Sequence, residues 1–193
     1  METAMSHGHQ AIETTTYGRF VEADRVAKDA FFRSSPHSPL GPGSRTAFRG
    51  LDYFPVDLAY RVESLRLLPY MGDGPIAFVM PTSDGRDRGA VRGGSFSFEI
   101  GGVRQILTAY RFPGAGSDAL FVPFLDATSG SETYGAGRYL DVEPERDGRH
   151  VLDFNLVYHP YCAYSPLFSC PLTPAENRLD VRIEAGERLA PAL

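Results

Sequence analysis

Three prolines and two glycines fall within residues 34–43, and the spacing of apolar residues changes across them. Proline lacks the amide hydrogen that a helix interior needs and clashes with the preceding turn, so no helix crosses this stretch. Before it, Phe20, Ala23, Ala27, Ala30 and Phe31 recur at helical spacing, with Glu22, Asp24, Arg25, Lys28 and Asp29 mostly on other faces. That pattern predicts one amphipathic helix over residues 17–33. After the break the period is two: Leu58, Tyr60 and Val62; Phe96, Phe98 and Ile100; Ile106, Thr108, Tyr110 and Phe112; Leu179, Val181 and Ile183. Alternation of this kind belongs to half-buried strands.

Turn-forming strings separate the strands, the strongest being Gly101-Gly102. Two glycines let both central residues take positive φ, so residues 95–100 are expected to pair antiparallel with 103–112. The fold class that follows is mainly β: an antiparallel β-barrel or two-sheet sandwich with one N-terminal α-helix. Residues 1–16 show no periodicity and read as a flexible tail, with His7 and His9 exposed in it. Residues 17–193 read as one globular domain, a helix at 17–33 followed by a β-rich body at 45–188.

With 193 residues, 42% hydrophobic and 22% charged, the chain has enough apolar material for a core without disulfides or metals. A formal charge of −5 and a pI near 5.5 leave no basic face for a phosphate backbone, so nucleic acid is not an expected partner. No apolar run is long enough for a signal peptide or a membrane span, which predicts a soluble, cytoplasmic protein with no membrane partner. Two cysteines in such a compartment are expected as thiols. Exposed strand edges make a homodimer an open option.

Chemically suggestive residues concentrate in 121–177. In a regular strand over 151–159, Asp153, Asn155 and His159 would share one face at intervals of about 6 to 7 Å, either lining a pocket or satisfying nearby backbone groups. Residues 126–138 form a polar loop bent by glycines, in which Asp126, Thr128, Ser129, Glu132, Thr133 and Tyr134 supply oxygens. Arg138 supplies a planar, permanently charged fork suited to a carboxylate or phosphate, or to a salt bridge with Asp126, Asp141 or Asp153. His159, Cys162 and Cys170 match zinc chemistry in kind, although structural zinc usually takes two closely spaced ligand pairs and only one is present. Neither a phosphate-binding loop nor a nucleophile elbow occurs, and no cofactor can be named from the residues.

The string Phe-Leu-Asp126-Ala-Thr128-Ser129-Gly, then Glu132-Thr-Tyr-Gly-Ala-Gly-Arg138-Tyr-Leu-Asp141, Leu-Asp153-Phe-Asn155, Pro-Tyr161-Cys162, Cys170-Pro-Leu-Thr-Pro-Ala-Glu176-Asn177 and Ala185-Gly-Glu resembles an uncharacterised bacterial and archaeal family, domain of unknown function 1684. The resemblance covers most of residues 20–188. It implies matching polar positions at Arg138, Asp153, Asn155, Tyr161, Cys162, Cys170 and Glu176. The family pattern has Asn where this chain has His159, which weakens any family-wide role for the imidazole.

The residues together lead to the expectation of a small-molecule-binding β domain with a polar pocket, its ligand a small organic anion. Arg138, Asp153 and Tyr134 are the candidates for catalysis. Asp126, Thr128, Ser129, Glu132, Thr133, Asn155 and Tyr161 are the candidates for binding. A zinc hydrolase using His159, Cys162 and Cys170, or a non-enzymatic module whose polar residues lock the fold, are the alternatives.

Overall fold

The computed structural model describes residues 2–116 and 118–190, with the backbone alone for residues 2–14. The chain divides into two compact units, Met1–Leu51 and Asp52–Leu193. In chain order the elements are α1 (Glu2–Ser34), α2 (Pro42–Ala47), β1 (Asp52–Tyr53), β2 (Arg61–Leu65), β3 (Ala77–Pro81), β4 (Asp87–Ile100), β5 (Val103–Arg111), β6 (Leu120–Phe124), β7 (Arg138–Val142), β8 (His150–Asp153) and β9 (Glu187–Arg188). Among the described residues no helix is long and apolar enough to cross a membrane.

In the first unit α1 begins at Glu2 rather than at residue 17. Residues 2–16 contain no proline and a single glycine, Gly8, so nothing there forbids helix. The side chains of His7 and His9 lie outside the described residues. The buried face also differs in phase from the expected stripe: Val21, Arg25 and Phe32 are buried, whereas Phe20 is 58% exposed and Ala23, Ala27 and Ala30 are exposed. Alanines bury too little area to set the rotation of a helix, and larger side chains set it instead. Phe32 stacks on Phe48 with ring centroids 5.9 Å apart, and the Asp29 carboxylate accepts the Leu51 amide at 2.9 Å.

The second unit is built on a five-stranded antiparallel sheet in the order β3-β4-β5-β6-β7, with two-stranded ladders β2-β8 and β1-β9. The sheet is open, so of the two expected architectures the closed barrel is not formed and the arrangement is sandwich-like. Its hairpin is the one expected: Ile100 pairs with Val103, and Gly101 and Gly102 take φ of 59° and 77°. One sheet face presents Phe96, Phe98, Leu107, Leu120, Val122, Phe124 and Leu140 to Leu152, Phe154, Val157, Leu179 and Ile183, forming the main core. The opposite face carries a smaller aromatic cluster around Met80, Tyr110, Phe121, Tyr139 and Cys170.

Three expected strands are something else. Leu58–Tyr60 is a 3-10 turn capped by Asp57. The expected strand at 151–159 stops at Asp153, where the Asp153 carboxylate accepts the Asn155 amide and starts a second 3-10 turn, Phe154–Leu156. Side-chain capping by Asp competes directly with ladder bonding, so the shared face of Asp153, Asn155 and His159 does not exist. The run from Leu179 to Ile183 belongs to no strand and bends at Asp180 and Val181. Asn177 acts as a piece of ladder: its amide donates to Thr108 and Pro123 carbonyls at 2.8 and 2.7 Å, and its oxygen accepts the Thr108 amide at 2.8 Å. It lies where β5 and β6 share one paired position, Tyr110 with Phe121.

Glu176 beside it accepts from Arg92 at 2.7 Å and from the Tyr110 hydroxyl at 2.9 Å. Burial would raise this carboxyl, but its backbone, Arg92 and Tyr110 hydrogen bonds outweigh burial and hold it below 4.5. As pH falls through 4.5 the unfolded chain binds this proton first. The stability from Glu176 is therefore complete above 4.5 and is lost as pH falls through the lower folded-state value. Urea unfolding of the wild type and Glu176→Gln is expected to show a gap in stability at neutral pH that shrinks in acid. A gap independent of pH would rule this account out. Phe154 is fully buried with its ring against Phe98 and Phe124, and Phe154→Ala is expected to lower unfolding free energy by about 3–5 kcal/mol.

Candidate functional site

Arg138 opens β7 with its side chain completely buried. One terminal nitrogen donates to the carbonyls of Ala185 at 2.5 Å and Glu187 at 3.1 Å. The other donates to the Ile183 carbonyl at 2.7 Å and reaches Asp126 at 3.5 Å. Burial pushes the guanidinium down from its usual value, and the Asp126 and Glu187 charges oppose that. Asp126 is itself held from several sides: it accepts from the Ile183 amide at 2.8 Å, the Thr128 hydroxyl at 2.9 Å and the Ser129 hydroxyl at 3.2 Å. Thr128 and Thr133 share a hydroxyl–hydroxyl hydrogen bond of 3.0 Å. The fork expected to hold a ligand anion thus grips the backbone carbonyls of Ile183, Ala185 and Glu187.

Asp153 and Asn155 work in the same way on the segment before β2. Asp153 accepts from the Asn155 amide at 3.1 Å and pairs with Arg61 at 3.3 Å. The Asn155 side chain clamps the Asp57 backbone in both directions, accepting its N–H at 2.9 Å and donating to its carbonyl at 2.8 Å.

Tyr134, His159 and Glu187 form a third group. The Tyr134 amide donates to His159 Nε2 at 3.2 Å, and Nδ1 lies 3.7 Å from Glu187. Glu187 is buried and accepts from the His159 amide at 2.6 Å and the Tyr164 hydroxyl at 2.8 Å. The Tyr134 hydroxyl lies 4.0 Å from Cys162 Sγ, and the Cys162 amide donates to Cys170 Sγ at 3.3 Å. With Nε2 of His159 already accepting, the imidazole does not turn a lone pair toward the thiols. Among the described residues no three His, Cys, Asp or Glu side chains are gathered as a metal ion requires. Glu132 faces outward to Arg182 at 2.5 Å, and Tyr161 packs edge-on against Phe168 at 5.2 Å.

Apart from Glu132, Tyr161 and the two thiols, the sequence-predicted residues are therefore brought together as three largely buried knots rather than as the lining of one cavity. The first two hold in place an open cleft of about 370 Å³ lined by Phe54, Pro55, Asp57, Tyr60 and Glu184. Each wall is fixed from behind. The Phe54 amide donates to the Gly186 carbonyl at 2.9 Å, and its ring faces both the Arg138 and Arg188 guanidinium carbons at 5.9 and 5.8 Å. Asp57 is clamped by Asn155, and Glu184 sits between the two residues, Ile183 and Ala185, whose carbonyls Arg138 holds. Gly186 allows this approach: its φ is 71°, and a Cβ there would lie 2.7 Å from the Phe154 carbonyl oxygen. Two other clefts, of about 410 Å³ beside Arg111 and Phe112 and about 610 Å³ beside Arg66 and Arg149, touch none of the knots.

Sequence reasoning missed Glu187 and all five cleft residues. Glu187 carried a faint signal as the acid of the Ala185-Gly-Glu string. The cleft residues carried none, because they come from segments more than a hundred positions apart that only the buried side chains bring together.

The fold and site define an antiparallel, sandwich-like β domain with a polar interior that braces an open surface cleft. The chain belongs to the DUF1684 family, described as a protein of unknown function, which matches residues 46–188. It is similar to a structure solved by NMR in solution, the uncharacterised protein from gene locus rrnAC0354 of Haloarcula marismortui. Identity is 38% over 92% of this chain and 96% of that one, with a TM-score of 0.67. No curated protein matches the chain.

Arg138→Ala is expected to lower unfolding free energy by about 3–5 kcal/mol, because three carbonyls and Asp126 lose their donor in a buried site. Arg138→Lys should restore little, since a single ammonium cannot reproduce the planar fork. Wild-type urea midpoints in either variant would remove the structural role assigned to the guanidinium.

Proposed function

We propose that the second unit is a small-molecule-binding module whose ligand occupies the Phe54–Tyr60–Glu184 cleft and carries a positive charge on an apolar body. The observation that supports this reading most is the agreement between two of the buried knots and the cleft: Arg138 with Asp126, and Asn155 with Asp153, all singled out from sequence, fix its walls from behind. Preorganised walls reduce the ordering that binding would otherwise require, and a cleft of about 370 Å³ falls within the usual range for small ligands.

The sign of the ligand follows from the lining. Phe54 and Tyr60 offer aromatic rings and Asp57 and Glu184 offer carboxylates, with no cation among the described lining residues; one Glu184 oxygen also accepts from Arg182 at 2.9 Å. A primary or quaternary ammonium gains from the Tyr60 ring and the carboxylates, while an anion gains from neither. The anion expected from Arg138 is replaced because that guanidinium has its partners inside the fold. Arg138, Asp126, Asp153 and Asn155 are on this reading positioning residues, and no bond-making step is assigned to the cleft.

The test is an NMR titration of the labelled protein with a panel of aryl-ammonium, neutral and carboxylate fragments. The expected result is saturable amide shifts at Phe54, Asp57, Tyr60 and Glu184 with the ammonium fragments alone. Asp57→Asn and Glu184→Gln should each weaken binding several-fold, in line with about 1 kcal/mol for a partly exposed charge contact. Shifts at the cleft with carboxylates, or none with any cation, would overturn the reading.

A further inference from the structure

Cys162 and Cys170 lie side by side at the edge of the aromatic cluster on the opposite sheet face, and both are free. Cys162 is half-buried and follows Tyr161 in a 3-10 turn, Tyr161–Ala163, while Cys170 is buried. The Cys162 amide donates to Cys170 Sγ at 3.3 Å. The Tyr134 hydroxyl lies 4.0 Å from the Cys162 sulfur. One thiol that solvent reaches, backed by a second that it does not, is the arrangement in which an attacking sulfur is followed by a resolving one.

We propose that Cys162 and Cys170 form a reactive dithiol that exchanges with small disulfides and closes into an internal disulfide. Cys162 loses its proton and attacks one sulfur of the small disulfide, breaking its S–S bond. The departing thiolate takes up a proton and leaves as a thiol. Cys170 then gives up its proton and attacks Cys162 Sγ in the mixed disulfide, and the second small thiol leaves. Two protein thiols are thereby oxidised by two electrons to one S–S bond, and one small disulfide is reduced to two thiols.

The order of attack follows from exposure. Burial pushes the Cys170 thiol up to about 11, so Cys170 is a poor first nucleophile and reacts once the mixed disulfide is beside it. Its backbone is anchored on the turn after β3, where the Ser83 amide donates to the Cys170 carbonyl at 2.8 Å and the Cys170 amide to the Ser83 hydroxyl at 3.0 Å. The new bond would tie the 3-10 turn to that anchor and shorten the free loop between, which includes the almost fully exposed Leu167. Neither thiol lines the cleft, so this proposal stands apart from the ligand proposed for it.

The experiment is treatment of the native, reduced protein with glutathione disulfide, followed by mass spectrometry and thiol counting. Both cysteines fall in one tryptic peptide, because no Arg or Lys lies between Arg149 and Arg178. The expected wild-type product is that peptide lighter by two hydrogens, with no glutathione attached, and a protein whose melting temperature rises by several degrees and returns on reduction. Cys170→Ser should stop at one glutathione on Cys162, and Cys162→Ser should not react while folded. Stable glutathione adducts on the wild type, a disulfide between two chains, or no reaction would each overturn the proposal, and the wild-type peptide decides it even where a variant fails to fold.

Discussion

A single buried cation holds the last part of the β-rich unit in place. Residues 179–186 belong to no strand, and the buried carbonyls of Ile183 and Ala185 would be orphaned in a closed interior if nothing donated to them. Arg138 supplies the donors for Ile183, Ala185 and Glu187 from one side chain. Asp126 neutralises that charge and simultaneously accepts the Ile183 amide. An isolated ion in such a place is strongly unfavourable, and it is tolerated here because charge pairing and several hydrogen bonds come together.

The same device recurs on a smaller scale. Asn155 stands in for a strand beside Asp57, and Asn177 stands in for one between β5 and β6. Asparagine suits both places because its amide carries donor and acceptor in the geometry of a peptide group. Side chains thus complete hydrogen bonding that two short ladders and one open sheet leave unfinished. The surface cleft is a by-product of this economy: irregular backbone, fixed from behind, leaves a concave wall that regular strands would have filled.

The hairpin at Gly101 and Gly102 and the alternation of Phe96, Phe98 and Ile100 were legible because both depend on local geometry, positive φ in one case and a period of two in the other. The polar cluster was legible as a cluster. Its role was not, since a buried arginine and a ligand-binding arginine have the same letter, and only the carbonyls of residues 183–187 distinguish them. The expected strands at 58–62 and 151–159 failed where Asp57 and Asp153 cap 3-10 turns. There a short polar side chain competes with the ladder, and periodicity carries no information about which wins.

By itself, the sequence determined the class of fold, because alternating apolar residues and glycine-marked turns leave antiparallel sheet as the way to bury them. It also determined the family and the segment where polar residues gather. Tertiary structure alone decided that the sheet stays open, that α1 buries Val21 and Phe32 rather than its alanines, and that Arg138 faces inward. The physical reason is common to all three. Each depends on partners distant in the chain, and the free energy of placing a side chain is set by what surrounds it after folding, not by its neighbours in sequence.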